Sequence, residues 1–150
     1  MNNNIVEKWD AEQGLATCIL YYTTSTGVPL AGVGLAECHP EDKDFMSERT
    51  GSIIAEYRAE IDLLKKINNF EIKPSIAALK HVYCTMLHSK QYNPNSYEAK
   101  RLKKELAHLL DELEENKQSI TSIQTTLNTY VSEKDKLYKR IRNGQNKTNT

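Results

Sequence analysis

The sequence predicts an α+β fold: a small N-terminal antiparallel sheet, two amphipathic helices and a long C-terminal coiled-coil-like helix. Three observations carry that expectation. Val, Ile, Thr and Tyr cluster between residues 5 and 38, broken by Gly14, Ser25-Thr26-Gly27 and Pro29. Apolar residues then recur near the 3.6-residue period from Ile53 to Leu87. From Leu102 the spacing alternates strictly between four and three, the heptad of a supercoiled helix. With 150 residues and 39% hydrophobic content the chain can fill one core, so a single domain is expected over 1–144, with 145–150 as a disordered tail.

The sheet is expected within 5–38 as three short strands, about Val6 to Ala11, Leu15 to Thr24 and Leu30 to Cys38. Ala31, Gly32, Gly34 and Ala36 make the third strand rich in small residues, which invites close approach of another backbone or a helix. Ile53, Ile54, Tyr57, Ile61, Leu64 and Ile67 then predict a helix over 48–68, with Asn68-Asn69 as its stop. Pro74 suits the first turn of a second helix over 74–90, whose stripe is Ile76, Leu79, Tyr83, Met86 and Leu87. Gln91 to Ser96 reads as a turn. Asn95, with Glu98 three residues on, offers the N-cap of a third helix over 96–142 that ends at Asn143-Gly144.

Polar Asn116 and Lys134 interrupt the heptad seam and are expected to fix its register at some cost in stability. The stretch 121–126, ThrSerIleGlnThrThr, is a weaker helix former that could host a break. A helix this long should not bury its whole seam on a body of a hundred residues, so self-association, simplest as a homodimer, is favoured over a fold-back hairpin.

Composition narrows the function. Twenty basic against twenty acidic residues leave no net field to attract polyanions, so a nucleic-acid polymer is not an expected partner. The basic LysArgLeuLysLys at 100–104 is followed by acidic AspGluLeuGluGlu at 111–115, which weakens a DNA-binding reading further. No run approaches a membrane span and the N-terminus lacks the pattern of a secretion signal, so a cytosolic protein is expected. Three widely spaced cysteines, Cys18, Cys38 and Cys84, suit reduced thiols better than a disulfide framework.

No catalytic signature stands out. Gly-Val-Gly at 32–34 lies inside a strand with no helix directly after it, and no spacing assembles Cys38 or Cys84 with His39, His81 or His88. His81, Cys84 and His88 share a helical face, but three positions along one straight helix are too far apart for one ion, so neither metal nor cofactor is expected. Binding fits better. The elbow between the second and third helices carries Tyr92, Asn93, Asn95, Tyr97 and Arg101, which offer a stacking ring, amides and a guanidinium able to grip a phosphate. These residues would equally plug and satisfy an ordinary turn. Arg58 is a second phosphate contact by type, or the ordinary partner of Asp62 four residues on.

The runs GlyLeuAlaThrCysIle (14–19), GlyValGlyLeuAlaGluCysHisProGluAsp (32–42) and GlySerIleIleAlaGluTyrArgAlaGlu (51–60), followed by a helical half, resemble the first-described family of phage Thoeris anti-defence proteins. The resemblance implies a protein that is not an enzyme and acts in the cytoplasm of an infected bacterial host. Such a protein sequesters the cyclic ADP-ribose isomer made by bacterial TIR proteins, and some members also hold a cyclic oligonucleotide signal. It implies dimers, or hexamers built as trimers of dimers, with pockets at subunit interfaces. In this chain the implied contacts are Tyr92, Asn93, Asn95 and Arg101 at the elbow, with Tyr83 and His88 lining the second helix. The alternative is a structural or adaptor phage protein that engages another protein through the C-terminal coiled coil.

Overall fold

A computed structural model describes residues 4–42 and 47–148, without the side chains of Glu41 and of residues 145–148. The fold is α+β. Strands β1 (Ile5–Asp10), β2 (Leu15–Thr23) and β3 (Pro29–Glu37) form an antiparallel meander in the order β1-β2-β3. Alternation along β2 and β3 buries Ala16, Cys18 and Leu20 together with Gly32, Gly34 and Ala36. Apart from Leu20, these inward positions are small. Their reason is α1 (Glu48–Ile67), capped by Ser47, whose Oγ accepts from the Thr50 N–H at 3.1 Å. The helix lies so close over β3 that a Cβ at Gly34 would overlap the Ala55 carbonyl and one at Gly32 the Ala59 carbonyl. The buried Ala55 and Ala59 are the helix's half of the contact.

The helix does not stop at Asn68-Asn69, as the sequence suggests. One π turn (Asn68–Ile72) carries it into α2 (Lys73–Leu87), with Ile67, Asn68, Ile72 and Lys73 all in right-handed helical conformation. Pro74 explains the wider turn: it has no N–H to return and would crowd the carbonyl four residues back. The Lys73 N–H reaches the Asn68 carbonyl instead, and Ser75 Oγ donates to the Glu71 carbonyl at 2.7 Å. Together α1, the π turn and α2 make one rod about 60 Å long at 1.5 Å per residue.

Helix α3 (Tyr97–Thr148) is a continuous 52-residue element that folds back antiparallel on this rod. Its N-cap is Ser96 rather than Asn95, with Ser96 Oγ accepting from the Ala99 N–H at 3.2 Å. It runs on past Asn143-Gly144, because one glycine costs a helix only about 1 kcal/mol and no proline follows. Of the tail, residues 149–150 lie outside the described residues. The Thr-rich stretch stays helical, with the hydroxyls of Thr121, Thr125, Thr126 and Thr129 each donating to the carbonyl four residues back.

The seam therefore finds its partner inside the chain. Leu102 and Leu127 are buried, and Leu106, Leu113, Ile120 and Ile123 are partly buried against the core. A second chain is not required to cover it. Asn116 meets the π turn, where its Nδ2 donates to Oδ1 of the buried Asn68 at 2.9 Å. At the far end Arg142 lies 3.2 Å from Asp42 in the turn after β3.

Three substitutions, each read by urea titration, check this packing. Gly34→Ala should cost about 3 kcal/mol or prevent folding, since overpacking against backbone has no flexible group to move. Gly144→Ala, whose Cβ meets nothing within 4 Å, should be neutral or stabilising by up to about 1 kcal/mol in the same urea titration. Asn116→Ala leaves buried Asn68 without its donor and should cost about 1–3 kcal/mol by the same measurement.

Candidate functional site

Helix α1 runs along the outer edge of β3 and stoppers it. At four-residue intervals Arg58 NH1 donates to the Leu35 carbonyl (2.6 Å), Asp62 Oδ2 accepts from the Val33 N–H (2.9 Å) and Lys66 Nζ donates to the Ala31 carbonyl (2.7 Å). These three side chains occupy one outward-pointing edge group on each of Leu35, Val33 and Ala31. Burial alone would raise the Asp62 pKa, but hydrogen bonds from Lys66 and the Val33 N–H outweigh it and hold the carboxyl below its ordinary value. Asp62 pairs with Lys66 at 2.8 Å, not with Arg58, so the ordinary role expected for this arginine is not the one it has.

With one guanidinium nitrogen fixed on Leu35, Arg58 stands at the wall of a cleft of about 150 Å³ between the end of β3, the start of α1 and the last third of α3. Opposite it are Lys134, Asp135 and Tyr138, and below lie Cys38, His39 and Asp42. Two lining carboxylates are ion-paired, Asp42 with Arg142 at 3.2 Å and Asp135 with Lys139 at 3.0 Å. The Asp42 contact is close enough for Coulomb attraction but lacks hydrogen-bond geometry, and Oδ1, fully buried, has no hydrogen-bond donor among the described residues. A buried acceptor in that condition calls for a donor. Burial pushes the Tyr138 phenol above its ordinary pKa against a hydrogen bond from Thr50. Lys134 Nζ sits 5.5 Å from the centre of the Tyr130 ring.

A second, larger groove of about 520 Å³ opens on the β1 side of α1, with mostly apolar walls that include Ile5, Leu20, Ile53, Tyr57 and Tyr130. Its polar groups are acidic. Glu56 shares a hydrogen bond with Glu7, is partly desolvated and faces Glu60, and its pKa is pushed up to about 7. An anion has no counter-charge there.

The elbow residues are placed otherwise. Tyr83 and Tyr92 come within 3.5 Å at their hydroxyls, and this contact raises the Tyr92 pKa. Asn93 Oδ1 accepts from the Asn95 N–H at 2.9 Å, and the Asn93 carbonyl from the Ser96 N–H. His88 Nδ1 bonds the Cys84 carbonyl at 2.7 Å, closing the end of α2. Arg101 sits 3.7 Å from Glu105 and is exposed, as is Tyr97. The elbow is thus a self-satisfied turn with two tyrosines and one arginine at its surface. Thirty residues of helix separate Arg101 from Val131, which lines the cleft beside Arg58, so the two groups of expected contacts stand about 45 Å apart on one chain.

Sequence reasoning singled out Arg58 but not Asp42 or Tyr138, and Lys134 only as a break in the seam. Their meeting depends on the register in which α3 folds back, for which the polar seam positions Asn116 and Lys134 are the signals in the sequence; the structure shows Asn116 answering Asn68. Cys38 and His39 reach the cleft while His81, Cys84 and His88 lie on α2, and no group of three or more His, Cys, Asp or Glu is set to hold a metal ion among the described residues. Compared with known protein families, characterised proteins and solved structures, the chain has no significant match.

The Glu7–Glu56 pair gives a pH signature. A carboxyl raised from 4.5 to about 7 in the folded state favours folding fully below pH 4.5, and that contribution is lost as pH rises through about 7. Glu56→Gln should therefore melt higher than the parent at pH 8 and show a flatter profile of melting temperature between pH 5 and 8.

Proposed function

We propose that this protein binds and sequesters a cyclic ADP-ribose-type immune signal of bacterial TIR defence without degrading it, as the resemblance to phage anti-defence proteins implies. The cytoplasm of the infected host is where such a sponge would act, and a cyclic oligonucleotide is a second ligand of the same chemistry. The observation that carries the reading is the cleft around Arg58. A guanidinium oriented by the Leu35 carbonyl suits a phosphate, and the Tyr138 ring offers an aromatic surface. The acidic groove beside β1 offers a phosphate none of this.

The cleft of about 150 Å³ has room for a phosphate and part of a sugar, and it shares Arg58, Val131 and Asp135 with an open groove of about 510 Å³ along α3, within the usual range of about 300–1,000 Å³ for small-molecule pockets. A ligand that touched both Arg58 and the elbow would have to bridge two copies, because the two lie too far apart in one. A homodimer, or a hexamer built as a trimer of dimers, would supply that second copy. The competing adaptor reading relied on an unoccupied coiled-coil seam, and the seam from Leu102 to Tyr130 is covered by the chain's own rod.

The test is a melting curve with cyclic ADP-ribose isomers. At a hundredfold excess over Kd the gain should be about 2.7 kcal/mol, or about 5–10 °C for a chain of this size, with the nucleotide recovered intact after heating. Arg58→Gln should abolish the shift while Lys65→Gln, on the same helix outside the cleft, leaves it. An altered nucleotide, or no shift with any isomer, rejects the reading.

A further inference from the structure

Helix α1 lies over β3 and β2 and leaves the same face of β1 largely open. The groove of about 520 Å³ beside β1 is the space that results, and it shares no lining residue with the Arg58 cleft. Ile5 pairs with buried Leu20 on the face that elsewhere forms the core, yet it is 53% exposed. The groove's charge is of one sign. Glu56 and Glu60 line it from successive turns of α1, and Glu7 meets Glu56 from β1.

No basic group answers these acids, and none of the three is ion-paired among the described residues. Lys8 alternates to the opposite face of β1. On α1, Arg49 is exposed one turn beyond Ile53, Arg58 and Lys66 are bound to the edge of β3, and Lys65 acts on Asp62. On α3, Lys134 sits over the Tyr130 ring and lines the other cleft. On β2, Cys18 opposite Glu7 stays neutral, because burial and the two carboxylates push its thiol up to about 11. Glu7 and Glu56 therefore hold a proton between them where a cation would otherwise stand.

We propose that the groove binds an apolar amine, a small molecule with a hydrophobic body and one protonated nitrogen. The ammonium has three donors for the three carboxylates, and the body rests on Ile5, Ile53 and the rings of Tyr57 and Tyr130. The walls select this class. An anion meets only acids, and a neutral apolar molecule leaves the carboxylates facing one another. A hard metal ion requires six or more oxygen ligands, and no acidic group is set to hold a metal among the described residues. The volume falls within the roughly 300–1,000 Å³ of small-molecule sites. This site is independent of the nucleotide reading above. Entry of the ammonium expels the shared proton, so affinity is linked to pH. With the Glu56 carboxyl at about 7 when free and ionised when bound, affinity rises about tenfold from pH 6 to pH 8.

The test is isothermal titration calorimetry of the full chain with tryptamine, phenylpropylamine and hexylamine, each protonated throughout that range. At least one should bind with a Kd between about 10 µM and 1 mM at pH 8, and about tenfold more weakly at pH 6. At pH 6 its apparent enthalpy should differ between phosphate and Bis-Tris buffers, as about one proton is released. Tryptophol, the alcohol of the same ring, and the anion hexanoate should not bind. Glu56→Gln should weaken binding at least about tenfold and remove the pH dependence, with its melting curve verifying the fold. Ile5→Lys, which brings a tethered ammonium to the groove, should not bind, whereas Val82→Lys on α2 should match the parent. Failure of all three amines overturns the proposal, as does tryptophol binding as tightly as tryptamine, or an affinity indifferent to pH or to Glu56→Gln. A dimer in sedimentation velocity that Ile5→Lys dissociates would show a second copy in the groove and overturns it equally.

Discussion

The contact on which the structure depends is backbone against backbone, where β3 meets α1. Gly32 and Gly34 on one side and Ala55 and Ala59 on the other allow an approach that no larger side chain would permit. The consequences are spatial. Drawn toward β3, the helix leaves the helix-side face of β1 uncovered and so creates the acidic groove. It also brings Arg58, Asp62 and Lys66 within reach of the strand's edge. Arg58 faces the cleft because its helix is held this tightly, and its guanidinium is oriented by a main-chain carbonyl instead of a mobile acid.

The second constraint is register. A heptad seam tolerates sliding by seven residues, and leucines alone would do little to oppose it. Here the π turn exposes Asn68 toward α3 and Asn116 answers it, so a slip would bury two amides without partners. This pair determines which residues of α3 arrive opposite Thr50, Ile54 and Arg58. A polar contact in the middle of the hairpin thus governs the composition of a cleft more than 20 Å away along α3.

Most of the architecture was legible in the sequence because it rests on local periodicity. The strand boundaries, the first helix and the long third helix follow from alternation, from the 3.6-residue stripe and from the heptad. What was not legible depended on pairs distant in sequence. Asn68-Asn69 reads as a stop until Pro74 is seen to demand a wider turn and Asn116 to occupy the buried amide. The seam reads as a surface needing a second chain until α1 and α2 prove to be one rod long enough to cover it. The cleft was half legible: Arg58 stood out by type, whereas Asp42 and Tyr138 have no distinction until folding brings together residues nearly a hundred positions apart. The elbow reads as a binding loop because Asn, Tyr and Arg serve recognition and turn closure equally well, and here they close a turn.

The ion pair from Asp42 to Arg142 joins the turn after β3 to a residue of α3 a hundred positions later in the chain. On the ribosome, therefore, the sheet and α1 emerge and pack long before the last wall of the cleft has been translated. During that interval the outer stripe of α1, with Ile54, Ile61 and Leu64, stays bare, a sticky intermediate that chaperones would recognise. A nascent or truncated copy would lack the cleft altogether, which exists only once the far end of α3 has docked.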